Sequence, residues 1–347
     1  MRDVKPENLR RGWTTGACAT AALKAALLAL RGACPATVTI TLPKGETPTF
    51  EVARIATAEN WAEAAVIKDA GDDPDVTHLA EICVHVQPGT SGLEFRAGDG
   101  VGTVTKPGLP IPVGDPAINP VPRAMMHAVA VEVTGEQDPN LIITVSVPGG
   151  AELARKTWNP RLGIEGGLSI LGTTGIVRPF SCAAWIASIH RGIDVARATG
   201  QGHVAGCTGA TSERIVQKLH NLPDHAMLDM GDFAGGMLKY LARHPVKRLT
   251  IGGGIGKMTK LAQGARDLHS GRSQVDFAAL AELAATLGYD RERIANSNTA
   301  LEALSLAPRL GPAIARLAQT SAQTMVADMP IDTVVIDRAG TIVGRSE

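Results

Sequence analysis

The sequence predicts a mixed α/β and α+β chain of two domains. An α+β domain is expected over residues 1–148, and a Rossmann-like α/β domain with a mainly parallel sheet over residues 149–347. Three observations predict this. The 347 residues suit two domains of roughly 150 residues each. Up to residue 148, alternating β-branched runs are punctuated by turns and one long Gly/Pro-rich loop. Beyond it, short apolar runs lead through glycine turns into helical stretches, which is the βαβ rhythm.

In order along the chain, the stretch Gly12 to Ala26, "GWTTGACATAALKAA", opens a helix. Arg10 and Arg11 precede its apolar run as in a signal peptide, but Lys24 interrupts that run, so a cytoplasmic helix is expected. Strands are expected within Ala36 to Pro43, Phe50 to Asp69, Glu81 to Gln87 and Leu141 to Pro148. The segment Gly98 to Met126 is so rich in Gly and Pro that it must be mostly loop, and an ordered loop of that length is usually functional. In the second half, Gly202 to His220, Ala226 to His244 and Val246 to Ala265 each read strand, glycine turn, helix. Helices around Phe277 to Leu287 and Thr299 to Leu306 follow, and "DTVVIDRAGTIVG" closes the chain as a hairpin.

Composition excludes several classes. Lys plus Arg and Asp plus Glu both number 34, so no net field draws the chain to nucleic acid or an anionic membrane. Aromatic residues make up 3%, too few for a base-stacking surface. The five cysteines are widely spaced with no Cys-x-x-Cys pair, and they read as buried thiols of a reducing compartment. No His-x-x-x-His or His-Glu-x-x-His spacing occurs, so no protein metal site is expected.

The chemistry-bearing residues lie in loops. "IGGGIGKMTK" has Ile251 where a Walker A loop needs its first glycine, and no register gives Gly-x-Gly-x-x-Gly. What survives is a set of backbone amides at Gly254 and Gly256 that either face an anion or cofactor, or form only a tight turn. Asp232, in "MGDF", either meets ribose hydroxyls or caps its helix. Asp69, Asp72, Asp73 and Asp75 crowd together beside Lys68. Crowding raises a carboxyl pKa toward that of a general base or acid, whereas solvated acids of an Asx-rich turn would behave ordinarily. Lys106, Arg123, Arg161 and Arg178 stand singly in Pro- and Gly-rich loops, suited to holding a polycarboxylate or merely solvated.

Taken in chain order, "RRGWTTGACATAALKAA", "KDAGDDPDVTH", "GVGTVTKPGL", "GDPAINPVPR", "NPRLGIEGGLSILGTTGIVRP", "MGDF" and "GKMTKLAQGARDLHS" strongly resemble the cobalt-precorrin-5B C1-methyltransferase (CbiD) family of the anaerobic cobalamin pathway. The match runs from about Arg10 to Leu304.

The resemblance implies transfer of the S-adenosylmethionine methyl group to C1 of cobalt-precorrin-5B, giving cobalt-precorrin-6A, with cobalt present only within the substrate. The other readings are the same methylation of metal-free precorrin and a non-catalytic tetrapyrrole-binding protein. The partner implied is a small tetrapyrrole, with no nucleic acid and no membrane. Lys68, Lys106, Arg123, Arg161 and Arg178 are expected to meet its carboxylates, and Asp69, Asp72, Asp73 or Asp75 to take a proton or steady the sulfonium. Thr14, Thr15, Gly16 and the echoing Thr173, Thr174, Gly175 are each expected to begin a helix facing the ligands, one from each domain, with Asp232, Gly254 and Gly256 also at the cofactor. Two departures from relatives stand out: "GGGIGK" has no histidine where many carry Gly-His-x-Gly-Lys, and Leu79 stands where many have Gly.

Overall fold

The computed structural model describes residues 9–347. The chain is mixed α/β and forms two compact units, Met1–Ser181 and Cys182–Glu347.

In the first unit, β1 (Gly12–Trp13) leads into α1 (Thr15–Leu30). Then come β2 (Thr37–Thr39), β3 (Thr49–Glu51), β4 (Arg54–Ala58), β5 (Trp61–Ile67), β6 (Glu81–Pro88), β7 (Leu93–Ala97) and β8 (Thr103–Val104). The helix α2 (Pro120–Thr134), β9 (Leu141–Ser146), α3 (Gly150–Ala154), α4 (Asn159–Leu162), β10 (Ile164–Glu165) and β11 (Ile176–Val177) complete it. The main sheet has the order β4-β5-β6-β9-β7, antiparallel except for the parallel pair β7 and β9.

Helix α1 lies in the core, because its alanines leave a narrow body apolar on every side. Lys24 breaks that pattern at little cost. Its stem stays in the helix surface while Nζ reaches the Thr39 carbonyl at 2.7 Å and pairs with Glu132. The apolar run that resembles a leader is thus a core helix.

The boundary lies at Ser181/Cys182, beyond the change of rhythm at residue 149. The reason is strand pairing: β10 returns to β8 and β11 to β1, both antiparallel, so residues 150–177 pack within the first unit.

The second unit contains α5 (Cys182–Ala198), β12 (His203–Cys207), α6 (Ala210–His220), β13 (Met227–Leu228), α7 (Ala234–Leu241), β14 (Arg248–Gly254) and α8 (Ile255–Ala262). It continues through α9 (Phe277–Thr286), α10 (Arg291–Ala295), α11 (Ala300–Leu306), α12 (Leu310–Gln323), β15 (Ile331–Ile336) and β16 (Ile342–Arg345). Its sheet has the order β13-β12-β14-β15-β16, parallel up to β15, with β16 closing the expected hairpin.

Alternate side chains of this sheet serve two cores. Ala205, Cys207, Val334 and Ile336 pack with Val216 of α6, while Val204, Leu249, Ile251 and Val335 pack with α7, α8 and α12. Helix α12 was not among the helices read from the sequence, and Gly311 and Pro312 stand near its start. Both fall in its first turn, where proline's missing N–H costs nothing.

Cys18, Cys83 and Cys207 are buried as expected, but Cys34 is exposed and Cys182 half-buried. No helix of the described residues is long and apolar enough to cross a membrane.

Candidate functional site

The acidic segment of the first unit is tied down by specific partners. Lys68, 1% exposed at its side chain, donates to Asp75 Oδ2 at 2.7 Å. Asp75 Oδ1 accepts from the Thr77 N–H at 2.8 Å and its hydroxyl at 2.6 Å. Arg10 clasps Asp69 with its guanidinium and donates its own N–H to Asp72 Oδ2 at 2.6 Å. Asp73 Oδ1 accepts the Phe180 N–H at 2.9 Å. The backbones at Gly12 and Gly71 lie so close to Ala70 and to Arg10–Arg11 that a Cβ at either glycine would overlap main-chain atoms.

These partners reverse the expectation that crowding raises a carboxyl toward neutrality. The Arg10 hydrogen bond holds Asp69 below the usual carboxylate range. Burial works against ionisation of Asp75, but the charge and hydrogen bond of Lys68, with those of Thr77, outweigh it and leave its pKa lowered too. Both are ionised anchors rather than proton donors at neutral pH. Lys68 is likewise committed to Asp75 and shut off from solvent, so it does not present a cation to a large ligand.

The two Thr-Thr-Gly stretches meet one another within the first unit. β1 pairs with β11, the Thr14 N–H donates to the Gly175 carbonyl at 3.0 Å, and the Gly16 N–H donates to the Leu171 carbonyl at 2.9 Å. The Leu171 N–H donates to Thr15 Oγ1 at 2.9 Å, and Thr14 caps α1 by accepting from the Ala17 N–H at 3.2 Å. A Cβ at Gly172, whose φ is +136°, would strike the Thr14 side chain. The expectation of one helix start from each domain is therefore corrected: only the first stretch begins a helix, and the Gly16 amide is used internally. The second stretch is a turn, with α5 beginning at Cys182 and Thr174 Oγ1 accepting from the Ile176 N–H at 3.3 Å. Thr173 is exposed.

The loop cations differ in what they do. Arg123 braces its own loop, donating from Nε to the Ile118 carbonyl at 2.8 Å and from its terminal nitrogen to Pro116 and Asp115, while lying over the Phe95 ring. It is a structural clamp. Arg161 lies over the Trp158 ring, Lys106 runs across Gly163, and Arg178 is exposed.

In the second unit, the strand order places a topological switch between β12 and β14. The connection through α6 leaves β12 toward β13, and the chain then crosses back through α7 to β14 on β12's other side. In open parallel sheets, ligands bind outside the carboxyl ends of the strands at such a switch. At that edge, Lys257 Nζ donates to the Thr208 carbonyl at 3.1 Å, bridging the loop after β12 to the first turn of α8. Asp232, after β13, has Oδ1 shut off from solvent and accepting no hydrogen bond among the described residues. The Lys257 ammonium lies 3.0 Å from it but outside hydrogen-bonding alignment. Gly254 caps α8 without a side-chain acceptor, and open space lies over Gly256.

Asp232, Gly254 and Gly256, singled out from the sequence, are thus brought to one edge of the sheet. Asp232 does not cap α7, whose N-cap is Phe233. Lys257, Thr208 and Arg10 were missed. For Lys257 the signal was its place directly after the glycine turn, discarded with the Walker spacing. For Arg10 nothing local pointed to Asp69, since the pairing is made by the fold.

The second unit thus carries a polar cluster at its switch point, and the first an acid-and-arginine cluster. Family comparison is more specific. The model for CbiD matches residues 2–179, and that for the CbiD C-terminal domain matches residues 267–347. The cobalt-precorrin-5B C(1)-methyltransferase of Brucella anthropi is 57% identical over 97% of this chain and 95% of its own. That of Brucella canis is 57% identical over 99% and 97%. A 1.9 Å crystal structure described as the cobalamin biosynthesis protein (cbiD) of Archaeoglobus fulgidus is 28% identical, covers 76% of this chain and 83% of that one, and has a TM-score of 0.42. The chain belongs to the CbiD family.

Proposed function

We propose that this chain methylates C1 of cobalt-precorrin-5B to give cobalt-precorrin-6A in cobalamin biosynthesis, with S-adenosylmethionine as donor. The observation that carries the activity is 57% identity to cobalt-precorrin-5B C(1)-methyltransferases over nearly the full length of both chains.

The donor is assigned to the switch-point edge of the second unit, read as a Rossmann-like domain. The fit rests on Asp232 Oδ1, a buried oxygen that accepts no hydrogen bond among the described residues and has the Lys257 ammonium 3.0 Å away, an acceptor suited to ribose hydroxyls. Lys257 and the uncapped amides at Gly254 and Gly256 suit a carboxylate nearby. When bound, S-adenosylmethionine supplies a methyl carbon whose bond to sulfur breaks as the bond to C1 forms, the sulfur keeping the electron pair. Such a displacement needs alignment more than a protein nucleophile.

For the tetrapyrrole, Lys106, Arg161 and Arg178 are assigned to acetate and propionate carboxylates. Asp69, Asp72, Asp73 and Asp75 fix the loop that carries them through Arg10, Lys68 and backbone amides. The lowered pKa values of Asp69 and Asp75, each held by its own cation, do not suit proton transfer at neutral pH.

The test is anaerobic incubation of the chain with S-adenosylmethionine and cobalt-precorrin-5B, followed by mass spectrometry of the tetrapyrrole. One added methyl group requiring both components is the expected result. An unchanged mass, with a known methyltransferase active in parallel, would reject the activity and leave a tetrapyrrole-binding protein. Methylation of the metal-free precorrin alone would correct the substrate.

A further inference from the structure

At the opposite edge of the second sheet, the fold assembles a donor set that no sequence spacing predicts. Helix α6 starts beside the carboxyl end of β12 and returns past the sheet, so its last residue, His220, comes back to the strands' beginnings. There it meets His203, the first residue of β12, and Asp332, the second of β15. Ala205, Thr250 and Asp332 sit in one row across β12, β14 and β15, on the face covered by α6, with His203 two residues before Ala205 on that face. The ring nitrogens of His203 and His220 and a carboxylate oxygen of Asp332 lie within 4.8 Å of one another.

We propose that His203, His220 and Asp332 form a binding site for a divalent first-row transition ion, Zn²⁺ being the best fit. Two imidazoles and one carboxylate are borderline ligands of the kind that zinc prefers, and a tetrahedral ion would hold ligand atoms about 3.4 Å apart. His220 Nε2 and Asp332 Oδ2, 3.6 Å apart, already stand near that spacing. Arg248 Nε holds Asp332 Oδ1 at 3.0 Å, which orients the carboxylate and leaves Oδ2 toward the histidines.

The Thr250 hydroxyl occupies the middle, 2.8 Å from His203 Nε2 and 2.9 and 3.0 Å from the two Asp332 oxygens. A χ1 rotation of Thr250 clears that space, and water completes the fourth position. The site lies at the amino ends of the strands, away from the edge assigned to the donor, so it is structural: the ion clamps the end of α6 to two strands, β12 and β15. This proposal does not depend on the methyl transfer.

Chelator-stripped full-length protein is titrated with Zn²⁺ alone, and bound metal is measured by equilibrium dialysis with elemental analysis. One ion per chain is expected, with a rise in melting temperature. His203→Gln and His220→Gln, which keep a hydrogen-bonding side chain, each weaken uptake about 100-fold, while Thr250→Ala retains it. Co²⁺ in place of Zn²⁺ gives a visible absorption band that both histidine variants lose. No saturable uptake by the wild-type chain, or uptake unchanged in the folded double variant, overturns the site and leaves the cluster as a hydrogen-bond network only.

Discussion

Lys68 and Asp75 form an ion pair of 2.7 Å in which the lysine side chain is 1% exposed and the aspartate 24%. Removing the acid strands a buried ammonium. Asp75→Ala is therefore expected to destabilise the first unit by about 3–5 kcal/mol, and Asp75→Asn by less because an acceptor remains. Adding Lys68→Met to Asp75→Ala should recover much of the loss, since no buried charge then lacks a partner. Urea denaturation of the three variants checks this.

The same acids set an acid limit. Asp69 and Asp75 have folded pKa values below those of the unfolded chain. Their contribution is fully present above the unfolded value near 3.9 and is lost as pH falls through the lower folded values. Stability of the first unit is expected to hold from neutrality to about pH 5 and to fall below about pH 4. Asp75→Asn should flatten that fall in a series of melting temperatures.

Where the two Thr-Thr-Gly stretches meet, Thr15 Oγ1 accepts from the Leu171 N–H. Thr15→Val keeps the shape and deletes the acceptor, costing about 1 kcal/mol. Thr14→Ala removes the cap of α1 and costs about 1 kcal/mol as well. Both losses should show in denaturant midpoints without any change in the slope.

Leu79 holds φ at +62° with 66% of its surface exposed, a conformation suited to glycine. Leu79→Gly relieves about 1–2 kcal/mol of left-handed strain against about 0.5–1 kcal/mol of added chain entropy. A small gain in stability is expected from thermal unfolding, and a loss would show that the exposed side chain makes a contact worth more than the strain.

The proposed donor site is tested at Asp232. Asp232→Ala is expected to weaken S-adenosylmethionine binding by at least about tenfold, or about 1.4 kcal/mol, while leaving the melting curve close to wild type. Calorimetric titration of the folded variant measures it. Unchanged affinity would move the donor away from this edge.

Much of the fold was legible because it is written locally. The glycine turns after β12 and β14, the closing hairpin and the apolar helix α1 each follow from short-range pattern and turn chemistry. The resemblance was legible because its motifs are long strings. The boundary at Ser181 was not, since it depends on β10 and β11 returning to strands far back in the chain.

Residue type and position, read from the sequence, singled out Asp232, Gly254 and Gly256, which the fold gathers at one sheet edge. Only the tertiary structure decided what each charge does: Lys68 and Arg123 became internal braces, Asp69 and Asp75 became ionised anchors, and His203, His220 and Asp332 were drawn together from three elements. The physical reason is that a side chain's identity sets what it can bind, while its burial and its long-range partners set whether that capacity is still available.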